Sequence, residues 1–202
     1  QRALQQTPIS NLDRYNIAIG TDALRNAKGA TGNADNIAIG YTSQFQTTSG
    51  TDNLTMGYQA GYGITTGFNN IGIGTNSLGS ASAALTGSYN FAAGTLALSH
   101  LTSGQYNFGL GYASLNNITS GNSNVALGQS AVSAATSSIG TVAIGDSAGV
   151  LMSGATGAIG NYNTLIGYQA GNKITTGGNN TIIGAALTAA NDNLTTGSNN
   201  IK

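Results

Sequence analysis

Residues 163–184 read NTLIGYQAGNKITTGGNNTIIG, which is one complete repeat unit and the start of the next. An Asn precedes a short apolar run that ends in Gly, then come small residues, an Ile-Thr-Thr-Gly turn and Asn again. Nearly all of the remaining chain is a variant of this stretch. The internal repeat therefore determines the fold, and single motifs are interpreted within it.

The Gly that closes each apolar run marks the repeat. Its ten copies are Gly20, Gly40, Gly57, Gly74, Gly94, Gly111, Gly128, Gly145, Gly167 and Gly184. They are separated by 20, 17, 17, 20, 17, 17, 17, 22 and 17 residues, so the base period is 17 with insertions in three units. Helical repeats need about 30 residues or more, whereas a unit of this length suits one coil of a β-solenoid.

Asn occupies the fourth position before the Gly in nine of the ten units. These residues are Asn16, Asn36, Asn53, Asn70, Asn90, Asn107, Asn124, Asn163 and Asn180. The tenth unit has Thr141. Asn side chains bond local backbone in turns, so this row predicts a structural ladder of stacked amides rather than a ligand site.

Apolar residues stand three and one before the Gly in most units, as in Ile71 and Ile73, with Ala, Gly or Thr between them. This alternation over a short run is typical of a strand with one buried face. A second apolar row, which includes Ile64 and Ile118, precedes a Thr-Thr-Gly or Thr-Ser-Gly turn. The sequence thus predicts a thin coil with two short strands and two turns, and ten coils predict a rod of roughly 50 Å.

The two ends and the insertions fit the same scheme. Residues 1–15 are out of phase and carry Pro8, which suggests a lead-in or cap for an open solenoid end. Residues 16–202 form the predicted solenoid, which stops in mid-coil and is expected to continue beyond Lys202. The insertions, for example Ser80 to Ala84 and Ala155 to Gly160, are expected to bulge from one face.

Composition excludes several classes of protein. The 202 residues include 31 Gly, one Pro, no Cys, and six basic and six acidic residues, with no net charge. Nothing predicts binding to a nucleic-acid backbone, and no apolar run is long enough to predict membrane insertion. Without Cys, disulfides and thiolate metal sites are excluded.

The chain contains few residues of the types that carry out catalysis. His100 is the only His, so no His-based triad or metal site is possible within one chain, and the six Asp residues do not recur in repeat phase. Gly72-Ile73-Gly74 lacks the third Gly of a dinucleotide fingerprint. We therefore expect no enzymatic activity, no cofactor and no metal.

Tyrosines form a second candidate surface. Tyr41, Tyr58, Tyr112 and Tyr168 directly follow the repeat Gly. With Tyr62, Tyr89, Tyr106 and Tyr162 they could line a glycan-binding face, but packing at a subunit interface is the favoured interpretation because the ring is amphipathic. Sequons at Asn53, Asn117, Asn179 and Asn193 follow from the Asn- and Thr-rich repeat.

The motifs NNIGIG, NVALGQSA, TVAIGDSAG and IGYQAGNKITTGGNNT resemble phage tail-fibre shaft repeats, and also the head repeats of trimeric autotransporter adhesins. The resemblance covers Asn16 to Ile201. It implies left-handed parallel β-rolls of about ten coils, three chains around a common axis, and an extracellular location on a virion or a bacterial surface. The adhesin unit is shorter than 17 residues, and the YQAG and TTG elements fit fibre repeats better.

Three functions follow as expectations. The first is a structural segment of a viral tail fibre that supports host attachment, with the chain itself as partner and a host-surface glycan or protein contacting the insertion loops. The second is the head of a bacterial adhesin. Ice binding is the third and least favoured, because Thr here alternates with Ser beside turn Gly.

Overall fold

The computed structural model describes residues 15–27, 35–79, 83–152, 161–185 and 198–201. It contains ten strands of three residues each and, in these ranges, no helix. The strands are β1 Ile17–Ile19, β2 Ile37–Ile39, β3 Leu54–Met56, β4 Ile71–Ile73, β5 Phe91–Ala93, β6 Phe108–Leu110, β7 Val125–Leu127, β8 Val142–Ile144, β9 Thr164–Ile166 and β10 Thr181–Ile183. Each strand opens a coil that we give the same number.

All ten strands belong to one parallel sheet in chain order, β1 to β10. Equivalent residues of successive units pair, as in Ile37↔Leu54 and Ile71↔Phe91. The chain is therefore an all-β solenoid of about nine turns, which confirms the predicted fold class. Nine steps of about 4.8 Å give a stack about 43 Å long.

The predicted second strand of each coil is wrong for the described residues. The second apolar row forms only isolated bridges, such as Ile64↔Leu85, and the neighbouring row contributes Asn122↔Ile139. The Thr-Thr-Gly corner follows at once and bends the chain, so no run of extended residues remains to form a ladder. Further along, the bridge Thr181↔Ile201 places Ile201 on the stack as an eleventh level.

The strands do have one buried face, and it is the face of the small middle residue. In β2 to β10 the middle residue is buried, whereas the first and third residues are half-buried or exposed. Ala38, Ala92 and Ala143 thus face the interior with Ala60, Leu98 and Ile118 from the rest of the coil. The inward strand residue is small in β1 to β8, whereas β9 and β10 place Leu165 and Ile182 there.

The repeat Gly is fixed by backbone geometry. Gly94 has φ of +128°, and a Cβ there would lie 2.6 Å from the carbonyl oxygen of Gly111 in the next coil. Both the torsion and the close stacking exclude a side chain. The other repeat Gly residues share this positive φ, between +126° and +139°.

Several apolar residues also adopt left-handed backbone conformations. Leu24, Leu78, Leu98, Leu115 and Val132 have φ between 50° and 58°, and all are buried. Such φ values are unfavourable for residues with a Cβ, so burial of these side chains has to offset backbone strain.

The apolar interior is divided into two clusters. A small cluster contains Ala23, Leu24 and Ala38, and a large one begins at Ile64 and extends to Ile182. The part of coil 2 after its strand lies between them and contributes buried Ser43, Gln44 and Thr47; the first two hydrogen-bond the Thr55 hydroxyl of the next strand. A polar layer thus interrupts the core.

Two expectations concern residues outside the described ranges. The cap predicted for residues 1–15 includes only Tyr15 within them. The insertions predicted to bulge fall largely on residues 80–82 and 153–160, which are likewise outside.

Candidate functional site

The Asn row forms a hydrogen-bonded ladder from Asn16 to Thr141 and again from Asn163 to Asn200. The Asn53 side-chain oxygen accepts from the backbone N–H of Asn70 at 3.0 Å and from its side-chain amide at 3.1 Å. The amide of Asn53 also donates to the Gly67 carbonyl across the coil at 2.8 Å. The same pattern joins Asn70 to Asn90, Asn90 to Asn107 and Asn107 to Asn124.

These ladder residues are inaccessible to a ligand. From Asn36 to Asn124 and at Asn163 and Asn180 their exposed fractions are between 0% and 2%. From Asn36 to Asn124 and at Asn163, the side-chain amide donates to a turn carbonyl of its own coil, as Asn163 does to Gly177 at 3.0 Å. At Thr141 the backbone N–H still donates to Asn124, at 3.0 Å. The ladder therefore fixes coil geometry.

The titratable residues do not assemble into a reactive site in the described part of the chain. His100 is exposed, and its Nδ1 lies 3.1 Å from the Ser99 hydroxyl and 3.0 Å from the Asn116 carbonyl oxygen. Asp22 contacts Arg25 at 3.5 Å on the surface. No group of three or more His or acidic residues there is placed to hold a metal ion.

The most distinctive surface is formed by the outward side chains of the sheet. We call the first and third residues of β1 to β10 the strand strip. Six of its ten third-position residues, including Met56, Ile73, Leu110 and Ile144, are between 39% and 63% exposed. Every strip residue is apolar except Thr164 and Thr181, and none is charged. Phe91 and Phe108 stack within it, with ring centroids 4.6 Å apart.

The strand strip is comparable in size to the largest apolar patch that a single soluble chain usually exposes. Three residues of strand span about 10 Å and nine coil steps about 43 Å, which gives a projected area of about 430 Å². Monomers rarely expose larger contiguous apolar patches than about 300–600 Å². A standard interface buries about 800 Å² per partner, so the flanking rows would need to contribute as well.

Tyrosines border both ends of the strands. One row, Tyr41, Tyr58, Tyr112 and Tyr168, follows the repeat Gly, and Tyr15, Tyr89, Tyr106 and Tyr162 precede the Asn row. All eight are exposed. Tyr62 lies elsewhere in its coil and stacks on Phe45 at 5.0 Å.

Some of the bordering tyrosine rings lie face to face. Tyr89 and Tyr106 are 5.0 Å apart with planes at 4°, and Tyr41 and Tyr58 are 5.4 Å apart at 12°. Stacking covers one face of each ring, whereas sugars are bound through open ring faces. At these two pairs the packing disfavours a glycan platform, and their exposed edges and hydroxyls suit the rim of a protein interface.

Two sequons are accessible and one is not. Asn53 is buried in the ladder, whereas Asn117 and Asn179 are exposed. Asn193 lies outside the described residues.

Comparison of the chain with family models, with curated proteins and with solved structures gives no match. Within the described residues there is also no helix long and apolar enough to cross a membrane. The strand strip was not identified as a surface from the sequence. In seven of the ten strands a small residue stands between two larger ones, a pattern that is compatible with either side of the strand facing inward.

Proposed function

We propose that this chain is a structural segment of a viral tail fibre, in which three copies associate through their strand strips to form a stiff rod that supports host-cell attachment. The observation that carries the proposal is the long, uncharged, exposed strip. Its burial would remove apolar surface from water, which favours association by about 25 cal/mol per Å² before the entropic losses of binding.

The strip favours other copies of the same chain as its occupant. Its side chains repeat at about 4.8 Å along the stack. A second solenoid of this kind presents side chains at that same spacing over the full length, so every level finds an equivalent partner. The absence of charge from all described strand residues means that identical copies do not repel one another.

The corner Thr residues fit a structural role better than ice binding. The Thr102 hydroxyl donates to the Thr119 carbonyl at 3.0 Å, and the Thr119 hydroxyl donates to the Thr136 carbonyl at 3.0 Å. Hydroxyls used to hold successive coils together are less available to order water on a flat surface.

Mass measurement in solution tests the assembly. Native mass spectrometry and light scattering should return three chains for the wild type. Ile73→Lys with Leu110→Lys places two charges on the strip and should shift the protein to monomers. Thr66→Lys with Ser103→Lys adds the same charge at exposed corner positions and should leave the trimer intact.

A wild-type monomer at micromolar concentration would contradict the proposal, as would equal masses for the strip and corner variants. The coding sequence around this segment then separates the two biological settings. Virion genes and a C-terminal chaperone domain indicate a fibre, whereas a membrane β-barrel anchor indicates the bacterial adhesin.

A further inference from the structure

The polar layer of coil 2 differs from the equivalent layers of its neighbours. Gln44 occupies the position held by Leu24 in coil 1 and by Leu98 in coil 5, and Thr47 occupies the position held by Ile64 in coil 3. Both Gln44 and Thr47 are fully buried. A long amide and a hydroxyl have thus replaced two aliphatic side chains inside a thin coil.

The orientation of the Gln44 amide is fixed by its neighbours. Its Nε2 lies 3.0 Å from the Ile37 carbonyl oxygen, 3.2 Å from that of Asn53 and 3.0 Å from the Thr55 hydroxyl. Carbonyl oxygens only accept, so a flipped amide would set oxygen against oxygen. The Gln44 Oε1 must therefore point elsewhere, and it has no hydrogen-bond partner among the described residues.

Besides Gln44 Oε1, coil 2 has two buried hydroxyls without a partner among the described residues, that of Thr42 and, within the polar layer, that of Thr47. Its backbone N–H donates to the Gln44 carbonyl at 3.3 Å, so the two residues share one turn. In coil 3 the equivalent positions face one another closely, since a Cβ on Gly61 would lie 2.8 Å from the Ile64 Cδ1. The side chains of Gln44 and Thr47 consequently project into the same part of the interior.

This part of the interior is short of aliphatic volume. The row of Thr47 contains Ile64, Leu101, Ile118, Met152 and Ile174 in other coils, but Ala135 in coil 7 and Ala27 in coil 1, directly before Thr47 in the stack. Two successive levels thus carry side chains smaller than Ile. The volume of the missing methyl and methylene groups is of the order of the volume of one water molecule, which takes up about 30 Å³ in the liquid.

We propose that coil 2 binds one internal water molecule that donates a hydrogen bond to Gln44 Oε1 and accepts one from the Thr47 hydroxyl. Buried waters occupy sites with two to four polar partners, and this pairing satisfies both unpartnered groups. A metal cation does not fit, because Ca²⁺ takes about six to eight oxygen ligands and this pocket offers two neutral ones. The bound water completes the polar layer that separates the two apolar clusters.

Water relaxation dispersion on the intact protein counts long-lived internal waters. The wild type should show one more per chain than the Gln44→Leu, Thr47→Ile double variant. That variant places in coil 2 the residues that coil 6 already has at Leu115 and Ile118, so it is compatible with the fold. Ser114→Ala is the matched control, since it removes an isolated buried hydroxyl and should leave the count unchanged.

A high-resolution crystal structure of the wild type provides a second measurement that does not depend on the variant folding. It should show a water oxygen about 2.7–3.2 Å from both Gln44 Oε1 and Thr47 Oγ1. The proposal is overturned if that position has no density, or if Gln44 Oε1 accepts a bond from a protein donor. Equal water counts in the wild type and the folded double variant would overturn it as well.

Discussion

Replacing Asn107 with Ala removes one rung from the middle of the Asn ladder. The Asn107 amide donates to the Gly121 carbonyl at 2.8 Å. Its side-chain oxygen accepts from the Asn124 backbone N–H at 3.2 Å and from the Asn124 amide at 2.9 Å. The backbone N–H of residue 107 would remain and could still donate to Asn90.

The expected loss of stability follows from the backbone groups that lose their hydrogen-bond partners in the variant. The Gly121 carbonyl and the Asn124 N–H lose these partners inside the coil. Each buried unsatisfied group costs about 1–3 kcal/mol, so Asn107→Ala should destabilise the fold by about 2–6 kcal/mol. Because domains are stable by only about 5–15 kcal/mol, this is a large fraction of the total.

Denaturant unfolding gives the global effect, and hydrogen exchange gives the local one. The Asn124 backbone N–H should exchange between about thirtyfold and about twenty-thousandfold faster, at tenfold per 1.4 kcal/mol. Asn117→Ala is the control, since this exposed side chain makes one bond, to the Ser133 carbonyl at 2.9 Å. It should change stability by about 0.5 kcal/mol or less. If Asn107→Ala loses no more stability than this control and the Asn124 backbone N–H stays protected from exchange, the ladder does not stabilise the coil.

Two further predictions concern the backbone. Gly94→Ala should unfold the stack locally, because its Cβ would meet the Gly111 carbonyl oxygen at 2.6 Å as well as strain φ. Gly184→Ala has the same unfavourable φ but meets nothing within 4 Å; it should lose only the strain, about 1–3 kcal/mol, in thermal unfolding. Equal losses for the two variants would show that close stacking is unimportant. At Leu98, where φ is 52°, Ala should be less stable than Gly by about 1 kcal/mol, the reverse of the usual order. Denaturant midpoints of Leu98→Ala and Leu98→Gly decide this, and a more stable Ala variant would refute the strain argument.

The coil itself could be predicted from the sequence because its cause is local and repeated. The requirement for Gly94 arises from one torsion and one contact with the next coil, and both recur at the repeat Gly of coils 1 to 9, whereas Gly184 shares only the torsion. The period of 17 therefore appears directly in the residue pattern. The Asn row is regular for the same reason, because each buried Asn stacks on the equivalent Asn of the next coil.

The prediction of a second strand in each coil was wrong because the residue pattern behind it suits two different structures. Ile64 and Ile118 are apolar and buried, and these properties suit either a strand or the inside of a turn. Left-handed backbone at Leu115 and at its equivalents turns the chain before a second ladder can form. The residue types do not reveal this turn, because Leu rarely adopts positive φ.

The sequence by itself determined the repeat, the parallel stacking of coils and the Asn row, because each depends on residues that recur at a constant spacing. Only the tertiary structure decided which side of each strand faces inward. Alternation fixes that Ile71 and Ile73 share a side, but not that this side points out of the coil. That outcome depends on what the rest of the coil places behind each strand: a Cβ on Gly72 would lie 3.0 Å from the Leu78 Cβ, so little room remains on the inner side of β4. The thin interior thereby places the apolar strand strip on the surface.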